Sequence, residues 1–195
     1  EGRLGGPVRA LARQGTILYA VTGPQLTIMD VTNPGDSHIV GAFDAWSSFR
    51  DVVVSGTVAY VTDRDAGLVV LDVSDPAHPV AVAAAAGPTT SFDPRECVVA
   101  GSYAYVTDPS SYLRIFDVSD PTSPTYISSF RPPGSAWYIQ DLAVSGTLAY
   151  VGYHSRIVVV DVTSPVSPEM RASYQAASQM NVTDLVLDGP YAYVA

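Results

Sequence analysis

The 195-residue sequence contains no lysine: its ten basic side chains are all arginine, set against nineteen acidic ones for a net charge of −9. That balance argues against nucleic acid or an anionic membrane surface as a partner, and acidity of this size is ordinary for solubility. We ascribe the missing lysine to the coding bias of a GC-rich gene. Cysteine occurs once, as Cys97, so neither a disulfide framework nor a thiolate metal site can be built. Histidine occurs three times, with no two residues at metal-ligand spacing. No run of 18 apolar residues exists, and no transmembrane helix is expected. No signal peptide is visible, which fits an internal or mature segment. Apolar residues spaced by 3.6 are also missing, which excludes helical repeats. Charged residues make up only 15% of the chain and hydrophobic ones 47%; such a balance suits a β core and excludes disorder.

What the sequence does contain is repetition. Leu68–Pro79 is a short apolar run ending in Asp-Val-Ser-Asp-Pro, and versions of it recur at Leu26–Pro34, Leu113–Pro124 and Ile157–Pro168. The motif aspartates, Asp30, Asp72, Asp117 and Asp161, are 42, 45 and 44 residues apart. A second marker, a glycine followed four residues later by tyrosine, keeps the same register at Tyr19, Tyr60, Tyr105, Tyr150 and Tyr193. A period of 40–50 residues with several strands per unit predicts β-propeller blades. In the second repeat, strand A is expected at Asp51–Ser55, B at Val58–Asp63, C at Leu68–Val73 and D at Pro79–Ala84. Strand A, apolar at Val52, Val53 and Val54, is expected to be buried on both faces. Cys97 stands where other repeats have Leu11, Val52, Leu142 and Leu185, and reads as a core filler. The motif aspartates, each ahead of a Ser/Thr-x-Pro turn, are expected to cap that turn with their carboxylates.

The fold expected is therefore all-β: a single β-propeller segment over 1–195, with repeats near 8–49, 50–94, 95–138 and 139–180 and a partial one at 181–195. Glu1–Leu4 aligns with strand D of the next repeat, at Val40–Phe43. Half-repeats at both ends lead to the expectation of a segment from a larger propeller, completed by further blades or a neighbouring chain.

Gly-x-x-Ala-Tyr-Val, then Leu-Val-Val-Leu-Asp, then Val-Ser-Asp-Pro-x-x-Pro resembles the LVIVD repeat. The resemblance implies a β-propeller and a secreted or surface protein of bacteria or archaea. It implies no catalytic activity, since that family carries no general catalytic motif.

Two sets of side chains are candidates for a site. The position five residues before each marker glycine holds Ala10, Asp51, Glu96, Asp141 and Asp184, acidic in four of five, preceded by Arg9, Arg50 and Arg95 in the first three. A ring of such carboxylates at a propeller's central channel could hold a cation or a basic group. The alternative, which we favour, is an arginine–carboxylate belt between blades or bonds to the neighbouring blade's backbone. The D–A loops carry Trp46 and Phe49, then Phe92, then Phe130, Trp137 and Tyr138. Aromatics on variable loops suit a recognition surface; equally, they suit lids over the blade ends. Asp63–Gly67 resembles the opening of a calcium loop without its later glutamate and is read as a B–C hairpin. His38, His78 and His154 fall in different parts of the repeat, and no catalytic residue, metal ligand or cofactor is expected. The function read from these features is a non-catalytic extracellular or cell-surface scaffold binding protein or glycan; the alternative is a propeller enzyme with a metal-assisted site at the channel.

Overall fold

In the computed structural model, which describes residues 6–87, 92–134, 138–175 and 182–195, every long element is a β-strand and the one helical turn is a 3-10 turn at Pro34–Asp36. The first sheet is formed by β1 (Ala10–Gln14), β2 (Ile17–Val21), β3 (Gln25–Asp30) and β4 (His38–Asp44). The second has β5 (Phe49–Ser55), β6 (Val58–Asp63), β7 (Gly67–Asp72) and β8 (Val80–Ala85). The third has β9 (Cys97–Ala100), β10 (Tyr103–Thr107), β11 (Leu113–Asp117) and β12 (Thr125–Phe130). The fourth has β13 (Ile139–Ser145), β14 (Leu148–Tyr153), β15 (Arg156–Asp161) and β16 (Glu169–Gln175), and β17 (Leu185–Asp188) pairs with β18 (Tyr191–Val194). Each of the four sheets runs in simple sequence order, the antiparallel up-and-down pattern of a propeller blade. Residues 1–5 and 176–181, where the N-terminal D strand and the start of the last partial repeat were expected, lie outside the described residues.

Short antiparallel hairpins make the sheets. At the A–B turns Gly15, Gly56, Gly101, Gly146 and Gly189 all take φ between 54° and 60°, a left-handed conformation that glycine adopts without a steric penalty. This is the physical reason for the marker glycine. At the C–D turns the motif aspartate accepts the N–H two residues on: Thr32, Ser74, Ser119 and Thr163 donate at 2.7–2.8 Å to Asp30, Asp72, Asp117 and Asp161. These are the Asx turns expected from the sequence. Hydrogen bonds from the same Ser and Thr residues hold all four carboxyls below the usual range, and with Arg171 added Asp161 falls to about 2.

The chain packs as two compact units, residues 1–97 with 120–124 and residues 98–119 with 125–195. The core of the first lies between its two sheets, where Leu26, Ile28, Phe49, Val61, Val69 and Leu71 are inaccessible to water. The second unit repeats the arrangement with Leu113, Ile115, Ala149, Val151, Val158 and Val160. Burying each branched aliphatic side chain contributes roughly 1.5–3 kcal/mol. Strand A is not buried on both faces along its run, contrary to expectation. In β5 only Phe49 and Val52 are buried, whereas β6 and β7 are buried at five of six positions each. β5 has a hydrogen-bonded neighbour on one side only, so one edge stays open, while β6 and β7 are flanked on both.

Each outer strand carries a bulge at one equivalent position. The register skips Val40, Val82, Ile127 and Arg171, each ten residues past its motif aspartate. Such bulges twist an edge strand away from pairing with another chain. The next residue then reaches a neighbouring sheet. An added Cβ on Gly41 would lie 2.1 Å from the Pro76 carbonyl oxygen, and in the second unit the Ser128 hydroxyl donates to the Pro165 carbonyl.

Candidate functional site

The acidic positions of strand A are set by a second bulge. The register of β5 on β6 skips Arg50 and that of β13 on β14 skips Gln140. The residue after each bulge is the acid, re-aimed out of the regular pleat. Asp51 Oδ1 accepts the N–H of Val52 and Oδ2 that of Cys97, both at 2.8 Å. Its own N–H donates to the Thr62 hydroxyl, which donates in turn to the Arg95 carbonyl. Asp141 repeats the geometry: Leu142 N–H donates to Oδ1 at 2.8 Å, and Leu185 N–H donates to Oδ2. Each carboxylate thus joins its own strand to the equivalent strand of the next repeat. A carboxylate accepting two backbone N–H groups makes charge-assisted bonds, stronger than neutral ones. This arrangement is the backbone-bonded alternative offered for the acidic ring.

The remaining members are less alike. Glu96 is half-buried ahead of β9, and Asp184 is exposed. The arginines act on the loops: Arg9 donates to the Ser48 hydroxyl at 3.0 Å and the Phe49 carbonyl at 3.4 Å. Arg50 pairs with Asp93 at 2.7 Å. Burial, reinforced by the charge of Asp51, pushes the Cys97 thiol well above its ordinary value, so it remains an inert filler.

The aromatic candidates divide by environment. Phe49 opens β5 rather than lying in a loop; it is fully buried and stacks on Phe43 with ring centroids 6.3 Å apart. A signal for this was present, since the residue two before each acid is apolar in every repeat (Val8, Phe49, Pro94, Ile139 and Val182). Phe92 is buried, folded over the Gly87 backbone so closely that a Cβ there would sit 2.1 Å from the ring. Phe130, the last residue of β12, is half-buried against the core of its unit. Trp46 and Tyr138 are exposed at 57% and 61%. Trp137 lies outside the described residues.

Trp46 sits on a pinned loop. Ala45 N–H donates to the Pro24 carbonyl at 2.8 Å and Phe49 N–H to the Gly23 carbonyl at 2.6 Å. Between them Ser47 donates through its N–H and its hydroxyl to the Asp63 carboxylate, at 3.1 and 2.8 Å. Asp63 also accepts the N–H groups of Asp65 and Ala66 and is fully buried. That closes the B–C hairpin, so the calcium-like stretch Asp63–Gly67 is a hairpin whose carboxylate is engaged by protein donors.

Asp108, the counterpart of Asp63, meets a partner that sequence reasoning missed. Arg114 reaches its Oδ2 through Nη2 at 2.6 Å and Nε at 2.7 Å, with both side chains buried. Tyr112 lies against the guanidinium, 4.2 Å from ring centre to Cζ. The signal was a charged residue in strand C where other repeats have Thr27, Val69 and Val158. Among the described residues no three His, Cys, Asp or Glu side chains come together as a metal-binding group, and no helix is long and apolar enough to cross a membrane.

Four-stranded antiparallel sheets, repeated along the chain and packed face on face within each unit, define a repeat protein of the β-propeller class. The chain belongs to the LVIVD repeat family, whose profile matches residues 48–84, 93–131 and 134–176. Among solved structures it is similar to the computationally designed Ika8 protein, with a TM-score of 0.62 at 11% identity over 96% of this chain and 67% of that one. It is also similar to the computationally designed Ika4 protein, with a TM-score of 0.60 at 8% identity over 91% of this chain and 95% of that one. At these identities the likeness concerns the fold alone. No match is found among curated proteins.

Proposed function

We propose that this chain is a non-catalytic scaffold, secreted or displayed at the surface of a bacterial or archaeal cell, that binds a protein or glycan partner through its D–A loops. The observation that carries the reading is Trp46. An exposed indole held by a loop pinned at Pro24, Gly23 and Asp63 is a preorganised anchor, which loses little freedom when a partner closes on it. Support for the compartment comes from the LVIVD resemblance. The carboxylates of Asp51 and Asp141, engaged by backbone N–H groups, favour a structural over a metal-binding role for the acidic positions.

The test uses the immobilised chain and an envelope extract of its source cells. Trp46→Ala should weaken capture of the bound partner by about 2 kcal/mol, near thirtyfold, with the unfolding temperature almost unchanged. A variant that unfolds several degrees earlier and binds as before would make Trp46 only a lid. Stoichiometric calcium or transition metal in the purified protein, lost on Asp51→Asn with Asp141→Asn, would replace the scaffold by a metal-assisted enzyme.

A further inference from the structure

At the A–B turn end of its sheets, the second unit has a cleft of about 410 Å³. The β9–β10 turn at Gly101, the β13–β14 turn at Gly146 and the C–D turn after β15 surround it. Ala100, Ser102, Tyr103, Tyr105, Thr147 and Thr163 supply the chemistry of its wall. Two features set this cleft apart. First, no lining side chain is a carboxylate, guanidinium or imidazole, in a protein of net charge −9. Second, Tyr105, only 3% exposed, lines the cleft with its ring. Burial, and then the neighbouring Tyr103, hold its phenol above the usual value.

The sequence explains why the space is here. In the first unit the residue before the marker glycine is Gln14, and its amide reaches across to donate to the Gly56 carbonyl at 2.6 Å. In the third repeat the same position is Ala100, too short to span the turns. Where the first repeat has Ile17 and the second Val58, the third has Tyr103, which adds a ring and a hydroxyl to the wall.

We infer that this cleft between the third and fourth sheets is a binding site for a neutral saccharide. Each serine, threonine and tyrosine hydroxyl both donates and accepts, matching the hydroxyls of a sugar, which do the same. Tyrosine rings give an apolar face for the C–H side of a pyranose. The absence of charge removes any preference for acidic or basic ligands, and the volume falls in the range of small-molecule clefts, about 300–1,000 Å³. A peptide would be better served by apolar pockets than by a wall of hydroxyls. The inference does not depend on Trp46.

Titration of the full chain with glucose, galactose, mannose, xylose, N-acetylglucosamine and their β-1,4-linked dimers, read by saturation-transfer NMR and calorimetry, tests it. At least one of these is expected to bind with Kd on the order of 1 mM or tighter. Ala100→Gln, which places the Gln14 side chain in the cleft, should weaken that binding at least about tenfold, while Trp46→Ala leaves it unchanged. Ser102→Ala combined with Thr147→Ala, both exposed turn positions, should weaken it too and stands in if Ala100→Gln fails to fold. The inference is overturned if no sugar shows transfer at about 10 mM, or if the cleft variants bind as the wild type. Loss on Trp46→Ala, or tighter binding of glucuronate or of a neutral peptide, overturns it equally.

Discussion

Replacing Asp51 by asparagine isolates the link between one strand A and the next while preserving side-chain shape. The carboxylate accepts two N–H groups, from Val52 and Cys97, each at 2.8 Å. Asparagine keeps one acceptor oxygen and turns an NH2 group toward the second donor, so one bond is lost and two donors face each other. A hydrogen bond to a charged group contributes about 1.5–3 kcal/mol net. Water cannot restore it at Cys97, which is 3% exposed. We expect Asp51→Asn to cost about 2–3 kcal/mol, and Asp51→Ala more, since it leaves both N–H groups without the acceptor. For a chain of this length that is a fall in Tm of roughly 5–10 °C. The control is Asp65→Asn, whose exposed carboxylate faces Arg64 at 3.9 Å; exposed pairs contribute about 0–1 kcal/mol. Scanning calorimetry gives the Tm values, and amide hydrogen exchange should show faster exchange selectively at Cys97. If Asp51→Asn and Asp65→Asn melt together and the Cys97 amide exchanges as before, the carboxylate is not a link between repeats.

Gly41→Ala should destabilise by about 1–3 kcal/mol through overpacking, because the added Cβ meets the Pro76 carbonyl oxygen at 2.1 Å; an unchanged denaturation midpoint would mean the strand and the facing turn separate freely. The depressed carboxyls of Asp30, Asp72, Asp117 and Asp161 make stability fully present above the unfolded aspartate value, near 3.9. It is lost as pH falls from there toward 2. Asp72→Asn with Asp117→Asn keeps an oxygen for each turn N–H but removes the titration, so its stability should fall less steeply below pH 4 in thermal scans; a profile parallel to the wild type's would refute the assignment.

Much of the fold was legible because the side chains that fix it report their own backbone. The marker glycines mark positive φ, the motif aspartates mark Asx turns, and strand B was read at Val58–Asp63, the observed limits of β6. The bulges at Val40, Val82, Ile127 and Arg171 were not legible. An extra residue in a strand such as Val-Ala-Val-Ala-Ala-Ala leaves no break in the alternation of large and small. Whether Phe49 and Phe92 were lids or recognition rings stayed open, because closeness in sequence to a loop says little about which way a ring turns. Arg114 stood out in its strand, but its pairing with Asp108 depends on a hairpin that brings residues six apart together.

The forward reach of Asp51 and Asp141 has a consequence for how such chains grow. What they bind on the next repeat is main chain, so the receiving residue is free to vary: it is a thiol at Cys97 and an isobutyl group at Leu185. This link is specified by its acceptor, the carboxylate, within its own repeat. As far as this link is concerned, a unit that brings its acid joins whatever residue the next repeat presents there. Ala10 brings none, and there Arg9 reaches across instead, to Ser48 and the Phe49 carbonyl.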